Sequence, residues 1–449
     1  MKPDSKENRR SFLKKSAIAG AAVTIQPIPF FAKGSPADKL VVAVMGVNSR
    51  GHVLAQNAAG LPNVEVAVIC DVDSKVLDRV IPDIEGIQKK RPKGEKDIRK
   101  VLENKDIDAV LLAPPDHWHA PAAIMALNAG KHVYVEKPCS HNPQEGEWLI
   151  AAQKRNKRVL QMGNQRRSWP NVNQMMGDLR SGVIGRVYFA KGWYANNRAS
   201  IGFGKAAPVP DNLDYELWQG PAPREAYRDN LIHYNWHWFT NWGTGEALNN
   251  GTHEIDLMRW GMGLDYPSRV VATGGRYHFN DDWQFPDTMV ANFEFDNGCA
   301  FTWESRSCNT FPVEGSGRGV IFYGEKGTLF NPGGDSYTIY ANDGKKSVIK
   351  EVKQAQPAAT AATNTASPDA NLDGVHIQNF FEGIRSGKPV NSPAEEGHKS
   401  VLMCQLANIA WRTGRILNID PRNGHIIGDP AAMEHWGREY EPGWEPKVV

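Results

Sequence analysis

The stretch KHVYVEKP, residues 131–138, ends an apolar segment with a carboxylate, an amine and a proline in immediate succession. Its middle part, HVYV, is rich in β-branched and aromatic side chains and predicts a buried strand. A proline has no N–H to donate to a sheet, so the strand should end before Pro138. At an arbitrary strand end, Glu136 and Lys137 would be solvated charges. At the ligand-binding edge of a sheet, a lysine can orient a hydroxyl and stabilise a developing alkoxide.

A glycine-bearing turn follows the first predicted strand, KLVVAVMG. The turn, GVNSRG, has the GxGxxG spacing of a dinucleotide-binding loop, with Asn48 in place of the middle glycine. Gly46 allows the tight turn, Gly51 allows the helix and strand to pack closely, and the N–H groups at the helix start can bind a pyrophosphate. The residues that we expect to bind the cofactor here are Gly46, Asn48, Ser49, Arg50 and Gly51.

The second predicted strand, VEVAVICD, ends at Asp71. A carboxylate in this place accepts hydrogen bonds from the adenosine ribose and repels a 2′-phosphate, so NAD is favoured over NADP. Asp73 is a second candidate for the same role. The glycine turn and the acid together predict an NAD-binding domain.

Polar side chains also follow three later strands, DAVLLA, HVYV and RVLQM. In a doubly wound sheet the ligand lies outside the carboxyl ends of the strands. We therefore expect these clusters to meet at the nicotinamide end of the cofactor. Their candidate residues are Pro114, Asp116, Trp118, His119, Glu136, Lys137, Asn164 and Arg166.

The second half of the chain contributes NNGTHEIDLMRW as its best candidate for the remaining chemistry. His253 and Asp256 are three residues apart, on one face of the helix that begins here, and Asn249 precedes His253 by four. A histidine beside a carboxylate can have its tautomer fixed and act as a general base. A histidine in such a helix can equally be structural.

The elements that must position these residues change in character along the chain. From Lys39 to about Met162, strands alternate with helices, which predicts a doubly wound parallel sheet of the α/β class. After Met162, long segments of period two predict a mostly antiparallel, open-faced sheet within an α+β domain. We expect an NAD-binding Rossmann domain at residues 36–165 and a substrate and oligomerisation domain at residues 166–449.

Composition excludes several classes of partner. A formal net charge of +2 over 449 residues gives no electrostatic reason to expect nucleic acid or an anionic membrane surface as a partner. None of the five cysteines forms a CxxC pair, and no cysteine–histidine cluster has zinc spacing, so no metal site is expected.

The first 35 residues resemble an export signal. Arg9 and Arg10 precede Phe12 and Leu13, and a modest apolar stretch follows. The stretch is too short to be a permanent membrane anchor. Because a twin-arginine signal is read by a receptor that exports folded proteins, we expect a periplasmic or exported protein that loads its cofactor before export.

Together these motifs resemble the glucose–fructose oxidoreductase / inositol dehydrogenase (Gfo/Idh/MocA) family, from the turn at Gly46 through AGKHVYVEKP and GTHEID to WRTGR. The resemblance implies sugar or cyclitol substrates, oligomerisation as a dimer or tetramer through the second sheet, and Lys137 and His253 as catalytic residues. The family often has an aspartate where this chain has Asn249, and an amide is not a general base. The candidate substrate contacts are Arg166, Tyr194, Asn249, Asn250, His253 and Asp256.

Three functions are compatible with this resemblance. The first is an exported NAD-dependent oxidoreductase that acts on a secondary hydroxyl of a sugar or glycoside with tightly held NAD. The second is a redox-assisted glycosidase or lyase, because a branch of the fold is similar in its export signal and in its histidine-rich strand end. Lys137, which that branch replaces with an apolar residue, favours the first. The third is a non-catalytic sugar-binding protein. Whether Trp236, His237 and Trp238 line the site or pack the core stays open.

Overall fold

The computed structural model of the protein describes residues 39–354 and 370–448, and these residues form one six-stranded and one nine-stranded sheet. The predicted export signal lies outside them. The first sheet is parallel throughout, in the order β3-β2-β1-β4-β5-β6, because helices return the chain between strands. This confirms the predicted Rossmann arrangement. Its strands are β1 (Leu40–Met45), β2 (Val64–Cys70), β3 (Lys93–Glu95), β4 (Ala109–Leu112), β5 (His132–Val135) and β6 (Leu160–Met162).

Both faces of the first sheet are covered. Val42 and Val44 of β1 join one buried apolar cluster, whereas Ala43 and Met45 join another on the opposite face. This explains why the strand has a continuous apolar sequence rather than an alternating one. The covering helices are α1 (Arg50–Gly60), α2 (Ser74–Gln88), α3 (Ile98–Glu103), α4 (Asp116–Asn128) and α5 (Pro143–Asn156).

The second sheet is antiparallel except between β7 and β10, in the order β14-β13-β12-β11-β7-β10-β9-β8-β15. Burial alternates along its strands, as in Thr288–Glu294, so only one face packs against helices. The predicted open-faced sheet is confirmed. Its strands are β7 (Val187–Ala195), β8 (Arg269–Gly275), β9 (Thr288–Glu294), β10 (Ala300–Arg306), β11 (Arg318–Gly324), β12 (Gly327–Asn331), β13 (Tyr337–Ala341), β14 (Val348–Val352) and β15 (Leu417–Asn418).

The remaining helices follow the first sheet in the chain, and one of them packs back onto it. Ile377, Phe380 and Phe381 come from the C-terminal half of the chain, but they pack into the core of the first sheet with Val42 and Val44. In the described part of the chain, no helix is both long enough and apolar enough to cross a membrane. These helices are α6 (Pro170–Arg180), α7 (Tyr215–Gln219), α8 (Gly245–Asn249), α9 (Gly251–Met262), α10 (Ala370–Ser386), α11 (Ala394–Thr413) and α12 (Pro430–Met433).

Candidate active site

A cleft of about 390 Å³ lies at the carboxyl ends of the parallel strands and is closed on its other side by residues of the C-terminal half. The position agrees with the rule for ligand sites in doubly wound sheets. Most of the residues selected from the sequence line this one cleft. They are Gly46, Asn48, Ser49, Arg50, Asp71, Pro114, Asp116, Trp118, His119, Glu136, Lys137, Arg166, Asn249, Asn250 and His253.

The turn after β1 packs tightly against the chain's own backbone. Gly46 has a φ of +78°, and a Cβ there would lie 2.5 Å from the backbone nitrogen of Pro114. A Cβ at Gly51 would lie 2.2 Å from the Gly46 carbonyl oxygen, so the turn and α1 are in contact. The Ser49 side chain makes no capping hydrogen bond at the start of α1. The helix start therefore keeps N–H groups for a pyrophosphate, and the turn fits a dinucleotide.

Asp71 follows β2 and lines the same cleft. Its carboxylate accepts hydrogen bonds from the backbone N–H groups of Val47, at 2.8 Å, and Asp73, at 3.0 Å. Burial raises the pKa of Asp71. A carboxylate can accept about four hydrogen bonds, so acceptor sites remain for a ribose. Asp73 instead caps α2 and accepts hydrogen bonds from Asn212 and His233.

Glu136, at the end of β5, is fixed in an ionised state. It accepts hydrogen bonds from Arg50 Nε, at 2.8 Å, and Gln165 Nε2, at 3.0 Å. Burial opposes its ionisation, but Arg50, Lys137 and His119 together outweigh burial and keep the pKa of Glu136 below its usual range. Arg50 also donates to Asp373 at 2.6 Å. The side chain of Arg50, predicted as a cofactor contact, thus connects β5 to α10 while it borders the cleft.

Lys137 extends across the cleft to α8. Its Nζ donates to the backbone oxygen of Asn249 at 2.5 Å and lies 3.3 Å from Asn249 Oδ1. Burial lowers the pKa of Lys137, although the charges of Glu136 and Asp116 act in the opposite direction. The contact joins the NAD-binding half to the end of α8, directly before the helix α9 that contains His253. The two predicted catalytic residues therefore border the same space.

His253 lies in the first turn of α9 and has cationic neighbours. Burial, followed by the charges of Arg166 and Lys137, lowers the pKa of His253 well below its usual value. Its imidazole is therefore neutral and can accept a proton. The predicted pairing with Asp256 is wrong, because the Asp256 carboxylate binds Arg167 through two hydrogen bonds of 2.8 Å and also accepts one from Ser400.

Four predicted site residues lie behind the lining. Gly51 closes the turn, and Asp256 belongs to the buried ion pair with Arg167. Asn164 is buried where a short 3₁₀ helix begins. The hydroxyl of the buried Tyr194 accepts a hydrogen bond from Asn196, and its ring faces the Arg318 guanidinium at 5.2 Å. Asn164, Tyr194 and Asp256 therefore do not line the cleft itself.

Of the three residues Trp236, His237 and Trp238, two line the cleft and one is buried in the core. Trp236 and His237 line the cleft, with ring centroids 3.6 Å apart, whereas Trp238 is buried against Trp283 at 3.8 Å. Other lining residues were not predicted. Trp169 stands in the NQRRSW segment after β6 and could have been found from its position, whereas Arg318 lies on β11 with no local motif.

Two family comparisons agree with this architecture. Residues 40–164 match the model described as "Oxidoreductase family, NAD-binding Rossmann fold", and residues 213–419 match "Oxidoreductase family, C-terminal alpha/beta domain". Both are Gfo/Idh/MocA models, and together they span more than half of the chain. The chain belongs to the Gfo/Idh/MocA oxidoreductase family. Membership confirms the predicted fold and NAD as the cofactor.

Individual Gfo/Idh/MocA relatives are distant. A "Glycosyl hydrolase family 109 protein" of Saccharopolyspora erythraea is 27% identical over 221 residues, which cover 44% of this chain and 48% of that protein. The chain thus spans about half the length of the curated relatives that it matches.

Two solved structures share the fold. A levoglucosan dehydrogenase in complex with NADH and levoglucosan has a TM-score of 0.65 at 19% identity, covering 85% of this chain and 99% of that one. An aldose–aldose oxidoreductase from Caulobacter crescentus, complexed with glycerol, has a TM-score of 0.63 at 18% identity, covering 85% and 100%.

Proposed function

We propose that the protein transfers a hydride between a secondary hydroxyl of a sugar or glycoside and tightly held NAD. The observation that carries this proposal is that Lys137 and His253 line the cleft that also contains the glycine turn and Asp71. A dinucleotide along that turn would extend towards the strand ends from which Lys137 projects. The sugar-processing neighbours of the same fold support a carbohydrate as the substrate class.

The residues that would hold the cofactor are those of the Gly46–Gly51 turn, with Asp71 at the ribose. When bound, NAD supplies the hydride acceptor. Asn249 accepts two of the three N–H bonds of Lys137, one at its backbone oxygen and a longer one at Oδ1, which fixes the ammonium and leaves one donor for the substrate. That donor orients the reacting hydroxyl and stabilises its developing negative charge.

The hydroxyl proton needs an acceptor, and the Asn249 amide is not a base. His253 is neutral and borders the same space, so its imidazole takes the proton. The cationic surroundings of His253 favour return of that proton. A base of this kind suits a reaction that runs in both directions. The indole of Trp236, which lines the cleft, offers an aromatic surface for the C–H groups of a sugar ring.

The proposal is tested by a screen of free sugars and glycosides against the purified protein. NADH formation and product release are followed together. We expect NAD in the protein as purified and reduction of that NAD by at least one carbohydrate. Protein that contains no NAD and reduces none when NAD is added would contradict the proposal and favour a non-catalytic sugar-binding role.

A second candidate function is redox-assisted glycoside cleavage, in which transient oxidation makes elimination of the aglycone accessible. The relatives named glycosyl hydrolase family 109 favour this alternative. Release of nitrophenol from a nitrophenyl glycoside without added NAD, and without net NADH, would support it. Stoichiometric NADH formation with no aglycone release would support the dehydrogenase.

We further propose export through the N-terminal twin-arginine segment. Arg9 and Arg10 support this proposal, and fusion of residues 1–35 to a reporter that is active only after export tests it. Replacement of both arginines by lysine should abolish export.

We also propose a homodimer or homotetramer formed through the uncovered face of the second sheet. This face carries the exposed Val290 and the adjacent rings of Phe189 and Tyr323. Light scattering should give a dimeric or tetrameric mass, and Val290→Asp should reduce it. A monomeric mass for the unsubstituted protein would contradict this assembly.

A further inference from the structure

We propose that the substrate carries an anionic group, a carboxylate or a sulfate or phosphate ester, which Arg166 binds. The inference rests on the proposed function, because it specifies the substrate class of the same cleft. It concerns a charged side chain in the cleft whose hydrogen-bonding groups are not used by the rest of the described chain.

Arg166 is buried, with 4% of its surface exposed, yet its guanidinium donates no hydrogen bond to another residue in the described part of the chain. Its nearest carboxylate oxygen, Glu254 Oε1, lies 3.6 Å from Nη1, which is beyond hydrogen-bond distance. A guanidinium has five N–H donors, and buried charged groups are nearly always paired. The adjacent Arg167 follows that rule, because it forms a two-pronged ion pair with Asp256.

Glu254 lies within ion-pair distance of Arg166 but is shared with Arg318, which it contacts more closely. Its Oε1 accepts two hydrogen bonds from Arg318, at 2.8 and 3.1 Å. Two guanidinium groups that line the cleft, those of Arg166 and Arg318, therefore share one adjacent carboxylate. Burial and the charge of Arg318 lower the pKa of Arg166 to about 9, so the side chain stays protonated at neutral pH.

The position of Arg166 indicates that the anion it binds belongs to the substrate rather than to the cofactor. The charges that act on Arg166 are those of Arg318, Glu254 and Asp256, all from the C-terminal half. Arg166 is also the strongest charged influence on His253, the proton acceptor. The pyrophosphate is expected at Gly46–Gly51 instead. A neutral sugar could accept hydrogen bonds from Arg166, but only an anion would also balance its charge in a planar, two-pronged pair.

The test uses the NAD-loaded protein and acidic sugars paired with their neutral parents. The pairs are D-glucuronate with D-glucose, D-galacturonate with D-galactose, and glucose 6-sulfate and glucose 6-phosphate with D-glucose. Two quantities are measured for each compound, the kcat/KM of NAD reduction and the shift in the thermal unfolding midpoint. We expect at least one acidic sugar to exceed its neutral parent by about ten- to hundredfold in kcat/KM or in affinity, the worth of a charge-assisted hydrogen bond. The acid that gives the largest effect distinguishes carboxylate from sulfate and phosphate.

Arg166→Gln should remove this preference, so that each acid is used no better than its neutral parent measured on the same variant, and Arg166→Lys should retain part of it. Arg422→Gln removes an exposed arginine that pairs with Asp420 and serves as the matched control, with the preference intact. If Arg166→Gln does not fold, the comparison of each acid with its neutral parent on the unsubstituted protein decides.

Equal or better use of the neutral parents in every pair, or a preference that survives Arg166→Gln, would overturn the inference. Hydride transfer from neutral sugars alone would support the proposed oxidoreductase and contradict the anionic substrate. Thermal stabilisation by acidic sugars alone, without hydride transfer from any sugar, would support anion binding by Arg166 and contradict the proposed oxidoreductase.

Discussion

Replacement of Lys137 by methionine separates a catalytic lysine from a structural one. Methionine keeps most of the length and apolar volume of the side chain but removes the ammonium. Lys137 Nζ donates to Asn249, at 2.5 Å to the backbone oxygen and at 3.3 Å to Oδ1, and faces a cleft that contains no other lysine except Lys96. The substitution therefore removes the donor proposed for the reacting hydroxyl and leaves the phosphate turn unchanged.

Two magnitudes follow from this geometry. Removal of a donor that stabilises developing negative charge lowers the rate by about 10²- to 10⁴-fold. The loss of one hydrogen bond from a charged donor costs up to about 3 kcal/mol of unfolding free energy. This loss is offset because the ammonium no longer has to be buried, a cost that already lowers the pKa of Lys137. We expect a net change in stability within about 1 kcal/mol.

The assay measures single-turnover reduction of bound NAD, together with NAD content and the free energy of unfolding. Lys131→Met is the matched control, because Lys131 is a buried lysine just before the same strand and donates to the Asn104 and Ile107 carbonyls, away from the cleft. It should lose stability but keep its rate. The reasoning is refuted if K137M reduces NAD as fast as the unsubstituted protein. Loss of NAD from K137M would assign the lysine to cofactor binding instead.

Three further predictions address the turn, the ion pair and the buried histidines. Gly46→Ala should abolish NAD retention because its Cβ would meet the backbone of Ala113 and Pro114, just after β4. Gly60→Ala, at the end of α1, meets nothing within 4 Å and should retain NAD in dialysed protein. Asp256→Asn should destabilise the fold by about 3–5 kcal/mol in urea unfolding, because Arg167 loses its buried carboxylate partner and keeps only Glu396 at 3.9 Å, and KM should be unchanged. A raised KM without a loss of stability would return Asp256 to the substrate site. Burial lowers the pKa of His376 and His398 to about 4, so between about pH 6.5 and 4 the unfolded chain binds protons that the folded chain does not. The free energy of unfolding should therefore decrease by about 3 kcal/mol for each histidine as the pH falls from about 6.5 to about 4. A free energy of unfolding that does not change over this range would contradict their burial.

The sequence predicted most of the first sheet because the apolar runs of its buried strands are continuous and the residues after each run follow one geometric rule. Its misses were elements with weak patterns. The edge strand Lys93–Glu95 is short and exposed, and the helix Pro170–Arg180 contains polar residues and a glycine. Such segments are ordered by tertiary contacts rather than by local preference.

Side-chain partners were harder to predict than strand ends. The spacing of His253 and Asp256 placed both on one helix face, but it could not reveal that Arg167 lies closer to the carboxylate. Arg318 reaches the cleft from a strand far along the chain and lies in front of Tyr194. Contacts of this kind depend on how the helices pack on the second sheet, which no local pattern specifies.

The central claim is that the cleft transfers a hydride from a carbohydrate carbon to NAD held by this chain. It is tested most directly by incubation of the NAD-loaded protein with a sugar or glycoside deuterated at its ring carbons, followed by mass spectrometry of the bound cofactor. We predict reduced cofactor that carries one deuterium from the substrate, and little of it in K137M. Turnover of an active carbohydrate with no deuterium on the cofactor at any time would contradict the claim.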